Sequence, residues 1–202
     1  MMMGPRLAAL VLLSAGLAAV GAGPLRLGDA PVRAAAGATA AGAHGNRAAT
    51  ASTLRAAERL VGVDPRRLGV RVVPAPPRPG LAARYDRERR TVMIFASSGN
   101  APHRVAHDLA HELAHAIDLE HLSATDRRAY LARRGARGAA WWPGRDASDY
   151  AVGSGDFAEV FALCHAASPV FRSRLAPRPA DPCAVLGPVA SRIAARASKV
   201  GA

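Results

Sequence analysis

Two histidines one helical turn apart constrain the fold of this chain more than any other feature. His111 and His115 stand four residues apart in a stretch whose apolar residues follow a helical period. On an α-helix, side chains at that spacing lie on the same face. Two imidazole nitrogens placed in this way can reach one tetrahedral Zn²⁺ at about 2.0–2.1 Å each. We therefore expect a helix over residues 101–119 that presents a zinc-binding face.

The glutamate beside the first histidine indicates what the zinc would do. Glu112 points to the side of the metal, where its carboxylate can take a proton from a water and later return it to a leaving amine. Zinc lowers the pKa of a bound water from about 15.7 towards 7. The sequence therefore predicts one catalytic Zn²⁺ with Glu112 as general base. His103 and His107 repeat the spacing upstream without matching carboxylates, and we interpret them as surface or supporting histidines.

A catalytic zinc site needs a third protein ligand and an open fourth position. The sequence offers three candidates for the ligand, and residue spacing leaves all three open. Glu159 lies on a predicted helix downstream and is preferred, with Asp156 on the same helix as the next choice. His121 stands six residues after His115 and is the third candidate.

Three short segments carry a resemblance to a known group of proteins. They read HELAH at 111–115, SDYA at 148–151 and DFAEVF at 156–161. Together they resemble the gluzincin-like zincins of the lethal-factor and Pro-Pro-endopeptidase group and their secreted bacterial relatives. The resemblance implies a zincin-like fold, peptidase activity and Glu159 as the third zinc ligand. It also implies that Tyr150 donates a hydrogen bond to the oxyanion of the reaction, although a tyrosine packed before a helix is the alternative.

The chain departs from that group at one position. Gly155 stands where the group commonly carries its ligand glutamate, so Glu159 or Asp156 would have to supply the carboxylate. The spacing of His121 is that of the metzincins, but these have a glycine where this chain has Asp118, and that glycine lets the helix break.

The periodicity predicts an α+β fold. We expect a small antiparallel or mixed sheet with the active-site helix and further C-terminal helices packed on it. The predicted helices cover residues 53–61, 101–119, 123–131, 156–166 and 184–197, and the predicted strands cover 68–73, 82–85 and 91–96. The last two strands form a hairpin. The strand at 91–96 is either an edge strand that binds peptide or a central, buried strand.

The N-terminus is typical of an exported protein. Residues 1–22 predict a signal peptide, with an apolar run at 7–20 and cleavage after Ala22; an uncleaved anchor is the alternative. Residues 23–49 form a flexible Ala/Gly-rich or propeptide segment, and residues 50–202 form the catalytic domain. Export to an oxidising compartment predicts a disulfide between Cys164 and Cys183 rather than two thiols. We expect a secreted protein, free or associated with the cell wall.

The net charge of +12 is carried almost entirely by scattered arginines. No basic run is interleaved with aromatic residues, so we expect a solvated basic surface and no nucleic-acid partner. The predicted partner is a protein or peptide substrate, bound by a monomer that is not inserted in a membrane after signal cleavage.

Taken together, these features predict a secreted zinc-dependent metallopeptidase. The alternative is a catalytically inactive zincin-fold binding or cell-surface protein, and the glycine at position 155 is its best argument. The presence of Glu112 favours the enzyme, because a purely structural zinc needs no base. A further alternative is a basic cell-wall module whose histidines are incidental.

Overall fold

The computed structural model describes residues 50–97, 99–145 and 147–200, and of residues 192–200 only the backbone. The predicted signal peptide at 1–22 and the segment at 23–49 lie outside the described residues. The described part contains five α-helices and one three-stranded sheet. The helices are α1 (50–61), α2 (Pro102–His121), α3 (Ala124–Arg133), α4 (Gly153–Ala166) and α5 (Pro182–Val200), and the strands are β1 (Arg71–Pro74), β2 (Ala83–Asp86) and β3 (Thr91–Ile94). The predicted α+β class is confirmed.

The sheet has the strand order β1-β3-β2 and is mixed. β2 pairs antiparallel with β3, which confirms the predicted hairpin, whereas β1 pairs parallel with β3. Val92 and Ile94 of β3 are buried. β3 is therefore the central strand of the two possibilities, and β2 is an edge strand.

β1 begins later than the sequence predicted. A 3₁₀ turn over Pro65–Leu68 takes the place of the expected start of the strand. The side chain of Asp64 caps the turn, and Gly69, with φ of +66°, ends it. Glycine adopts this left-handed conformation at little cost, so the chain turns here and extends only from Arg71.

α2 lies between the sheet and α4. It contacts β2 and β3 on one side and packs against α4 on the other. Leu109 and Leu113 are fully buried, and each contributes about 2 kcal/mol of hydrophobic stabilisation. The alanines between them carry small side chains, which let the neighbouring elements approach closely. The histidines of α2 are thereby fixed on a helix that is held on both sides.

The later helices are close to the predicted ones. Ser123 and Asp126 form the predicted capping box of α3. α4 begins at Gly153, three residues before the predicted start. Cys164 of α4 and Cys183 of α5 form a disulfide, as predicted. Within the described ranges, no helix combines the length and apolar character needed to span a bilayer.

Candidate metal centre

Three potential ligand atoms, two from α2 and one from the turn before α4, form a nearly equilateral triangle. Nε2 of His111 lies 3.2 Å from Nε2 of His115. Oδ2 of Asp149 lies 3.3 Å from the first nitrogen and 3.1 Å from the second. Ligands bound at about 2.0–2.1 Å and at tetrahedral angles stand about 3.3 Å apart. The triangle therefore has the size of one face of a zinc coordination tetrahedron, and these residues could hold a metal ion.

Asp149 is the residue that sequence analysis missed as a ligand. It begins a 3₁₀ turn, Asp149–Ala151, in which the side chain of Ser148 accepts a hydrogen bond from the backbone of Tyr150. This turn lies directly before α4 and contacts it closely. The available clue was a carboxylate next to Tyr150, but its position over the histidines depends on the path of a long irregular segment.

Glu159, the preferred third ligand, lies on the other side of the His111 ring. Its Oε1 is 3.0 Å from Nδ1 of His111 and 3.2 Å from Nε2 of His107. Its Oε2 accepts a hydrogen bond from the backbone N–H of Arg172. A carboxylate against Nδ1 fixes the imidazole so that Nε2 is free to coordinate. The structure thus brings Glu159 to the site in a position that orients His111.

His107, His111 and Glu159 also lie close enough together to form a second group of possible ligands. All three are buried, and neither His107 nor Glu159 lines the adjacent cleft. A catalytic metal needs a position open to substrate, which only the group with His115 and Asp149 offers. Of the two upstream histidines, His103 is exposed and His107 is buried, with its Nε2 3.2 Å from Oε1 of Glu159.

The prediction of Asp156 as a ligand needs correction. Its carboxylate is fully buried in a separate cluster, where it accepts two hydrogen bonds from Arg134, at 2.7 and 3.0 Å, and one from Tyr130, at 2.7 Å. The hydroxyl of Ser173 donates a further bond of 2.6 Å. Asp156 belongs to neither group of possible ligands, because these partners consume its oxygens.

The alternative ligand His121 is also displaced from the triangle. α2 continues unbroken through His121, so this residue is rotated by about 120° around the helix relative to His115. A break at Asp118 would be needed to turn it back. Instead, Asp118 is buried and accepts hydrogen bonds from Arg127 (2.7 Å) and Trp141 (2.9 Å), which anchor the last turns of the helix.

Glu112 stands between the histidines and the edge strand. Its Oε2 accepts a hydrogen bond of 2.7 Å from the backbone N–H of Tyr85 on β2. Its Oε1 accepts no hydrogen bond from the part of the chain that the structure describes and is free to accept a proton. The predicted general base is therefore held by β2 and lines the cleft beside the triangle.

Tyr150 also lines the cleft, with its ring centre 5.6 Å from that of His111. Nη1 of Arg172 donates to its hydroxyl oxygen at 3.3 Å and to Oδ1 of Asp108 at 3.1 Å. Burial raises the pKa of Tyr150, although Arg172 opposes this rise. The hydroxyl therefore keeps its proton at neutral pH and can donate a hydrogen bond into the cleft.

The electrostatics of the triangle favour a cation. Burial lowers the pKa of His111, but the hydrogen bonds to Asp149 and Glu159 outweigh it and raise this pKa to about 10. Burial likewise raises the pKa of each carboxyl, yet the histidines hold that of Asp149 well below its usual range and that of Glu159 at about 2. At neutral pH both carboxylates are thus ionised and His111 carries a proton, which a metal ion bound by this group would displace.

The cleft above the triangle has a volume of about 1120 Å³. β2, the start of α2 and the turn that carries Asp149 form its walls. Comparisons of this chain with protein-family models, with curated proteins and with solved structures found no match. The chemistry of the site is therefore the basis for assigning a function.

Proposed function

We propose that this chain is a secreted zinc metallopeptidase with a zincin-like fold. In this proposal His111, His115 and Asp149 hold the metal, and Glu112 is the general base. The triangle of ligand atoms, with sides of 3.1 to 3.3 Å, carries the proposal. Two imidazole nitrogens that face each other at 3.2 Å can share either a proton or a metal ion. A zinc ion would bind both nitrogens and the Asp149 carboxylate together.

The residues around the triangle fit the hydrolysis of a peptide bond. A bound zinc would supply Lewis acidity, which brings the deprotonation of water within reach of neutral pH. Glu112 takes that proton on its free Oε1 and returns it to the leaving amine. Tyr150 donates a hydrogen bond to the developing oxyanion, and Arg172 fixes its hydroxyl. Glu159 keeps His111 in the coordinating orientation.

The edge strand offers a means of binding an extended peptide. The carbonyl of Ala82 accepts a hydrogen bond from Phe95, so the peptide groups of the alternate residues, Ala83 and Tyr85, face outwards. The N–H of Tyr85 holds Glu112, while the peptide groups of Ala83 remain for a substrate strand. Binding by strand addition would bring the scissile bond close to the general base.

The missing glutamate at Gly155 no longer favours the inactive alternative. Asp149 supplies a carboxylate from the preceding turn, and Glu112 has one oxygen free for chemistry. The proposed export is supported by the apolar run at 7–20 and fits the disulfide between Cys164 and Cys183.

The proposal predicts that Glu112→Gln abolishes hydrolysis but not metal binding. The purified wild-type protein should contain about one zinc per chain and cleave an unfolded protein such as casein. The variant should keep its zinc and lose at least about 100-fold in kcat/KM, because the amide cannot accept the proton. Zinc analysis and a peptide-release assay measure the two quantities.

Glu88→Gln is the matched control, since Glu88 is exposed on the turn between β2 and β3. It should match the wild type in both assays. Zinc-loaded protein that cleaves no unfolded protein would favour the inactive binding protein. Protein that takes up well under one zinc would rule out both zincin interpretations.

A further inference from the structure

The cleft carries three arginines without an acidic partner. Arg78, Arg84 and Arg104 line it and are exposed. None of them forms an ion pair with another residue in the described part of the chain. Arg172 also lines the cleft, but Asp108 compensates its charge at a distance of 3.1 Å.

The remaining charges of the cleft cancel once a divalent metal is bound. Asp149 and Glu112 are the other acidic groups that line it. Their two negative charges balance one zinc ion, which leaves the three arginines in excess. A cleft with charges of a single sign concentrates substrates of the opposite sign and raises their association rates.

Arg104 lies towards one end of the cleft. It is in the first turn of α2, on the face that continues through Asp108 to His111, and so on the N-terminal side of the proposed zinc ligands along the helix. Arg78 and Arg84 line the cleft from the β2 side, where Arg84 is next to Tyr85, whose N–H binds Glu112.

The distance between Arg104 and the proposed metal site determines where along a bound peptide an acidic side chain would meet Arg104. Arg104 precedes His111 by seven residues, which corresponds to about 10 Å along the helix. An extended peptide advances about 3.3 Å per residue. An acidic side chain about three residues from the scissile bond would therefore reach Arg104.

We propose that this cleft selects peptides that carry a glutamate or aspartate about three residues to one side of the cleaved bond. Arg104 is the main recognition residue, and Arg78 and Arg84 add to the positive charge of the same cleft. This inference rests on the proposed peptidase function and specifies its substrate class. We favour an acidic peptide over a nucleic acid as the ligand, because the acidic groups Glu112 and Asp149 lie in the same cleft as the arginines.

The test uses pairs of otherwise identical peptides that carry Glu or Gln at each position up to four residues from the cleaved bond. Wild-type, zinc-loaded protein should prefer Glu by about fivefold to tenfold in kcat/KM at about three residues on one side only. Raising the salt concentration to about 0.5 M should reduce this preference, since exposed charges are screened. Arg84→Gln/Arg104→Gln should bring the ratio close to one, and Arg104→Lys should retain most of it.

Arg137→Gln is the matched control, because Arg137 is exposed and lies outside the cleft. It should keep the full preference. Equal cleavage of both peptides by wild type overturns this inference alone. Failure to cleave any peptide despite bound zinc overturns the peptidase function and this inference with it. Tighter binding of single-stranded DNA than of the acidic peptide to zinc-loaded Glu112→Gln, through the same arginines, would assign the cleft to a polyanion instead.

Discussion

At the residue scale, Gly155 lets the turn that carries Asp149 pack closely against α4. A Cβ built on Gly155 would collide with the backbone carbonyl of Asp149 and approach the backbone nitrogen of Tyr150. No side chain fits there while the 3₁₀ turn lies against α4. The glycine therefore excludes a ligand from its own position and lets the turn bring Asp149 over the histidines.

Replacing Gly155 tests whether its close contact with the turn keeps Asp149 near the histidines. Gly155→Ala should push the turn away from α4 and lower the affinity for zinc at least about tenfold. The collision should also cost about 1–3 kcal/mol of unfolding free energy, as overpacking does elsewhere. Competition with a fluorescent zinc chelator measures the affinity, and urea denaturation measures the stability.

Gly187→Ala provides the comparison, because a Cβ at Gly187 in α5 meets no atom within 4 Å. It should leave zinc binding unchanged. A Gly155→Ala protein with wild-type zinc affinity would mean that the turn does not depend on this close contact.

Sequence spacing was sufficient to predict the relative positions of the candidate site residues that share one helix. His111, Glu112 and His115 have a fixed relation on α2, so their common position was predictable. The proposed third ligand comes from another segment, and its identity depends on how a long loop returns to the helix. Asp149 and Glu159 are both carboxylates close to His111. Asp149 faces Nε2 of this histidine, where we propose that the metal binds, whereas Glu159 faces Nδ1 and orients the ring.

At the scale of elements, a buried ionic cluster joins α4 to α3 and to the chain that follows α4. Asp156 is fully buried, and the side chain of its partner Arg134 is only 6% exposed. Tyr130 and Ser173 complete the hydrogen bonds to the carboxylate. Burial of Tyr130 next to this carboxylate raises the pKa of its hydroxyl well above the ordinary value, so it remains a donor.

These contacts predict that Asp156→Asn lowers the stability of the fold and leaves zinc binding unchanged. The substitution leaves the Arg134 charge buried without its counter-ion, which should lower the free energy of unfolding by about 3 kcal/mol. Zinc content should remain at one per folded chain, because Asp156 touches neither histidine of the triangle. Urea denaturation and zinc analysis test the two parts.

Glu88→Gln removes the same charge at an exposed position and should leave the stability close to that of the wild type. Loss of zinc from folded Asp156→Asn protein would contradict the structural role and return Asp156 to the list of ligands.

The elements themselves were predicted within a few residues, because their periodicity is local. The hairpin of β2 and β3 and the capping box of α3 depend on neighbours in sequence. The parallel pairing of β1 with β3 was not specified, since it joins strands separated by the whole of β2. The early start of α4 depends on Gly153, which packs against Trp141 and Leu131, and on Gly155, which packs against the preceding turn. Both contacts are tertiary and cannot be read from local periodicity.

At the scale of the whole molecule, the site is assembled from three parts of the chain. α2 provides two of the proposed ligands and the proposed base, the turn before α4 provides the third proposed ligand, and β2 provides the N–H that binds Glu112. α2 lies between the sheet and α4, so it joins both layers to the metal centre. The α+β class followed from the sequence pattern, whereas this convergence required the folded structure.

An anomalous-scattering map at the zinc edge, from crystals of the zinc-loaded protein, tests the proposed metal centre. We expect one peak about 2.0–2.2 Å from Nε2 of His111, Nε2 of His115 and a carboxylate oxygen of Asp149, with one coordination position facing the cleft. A peak bound by Glu159 and His107, or no peak between the two histidines of the triangle, would exclude this centre.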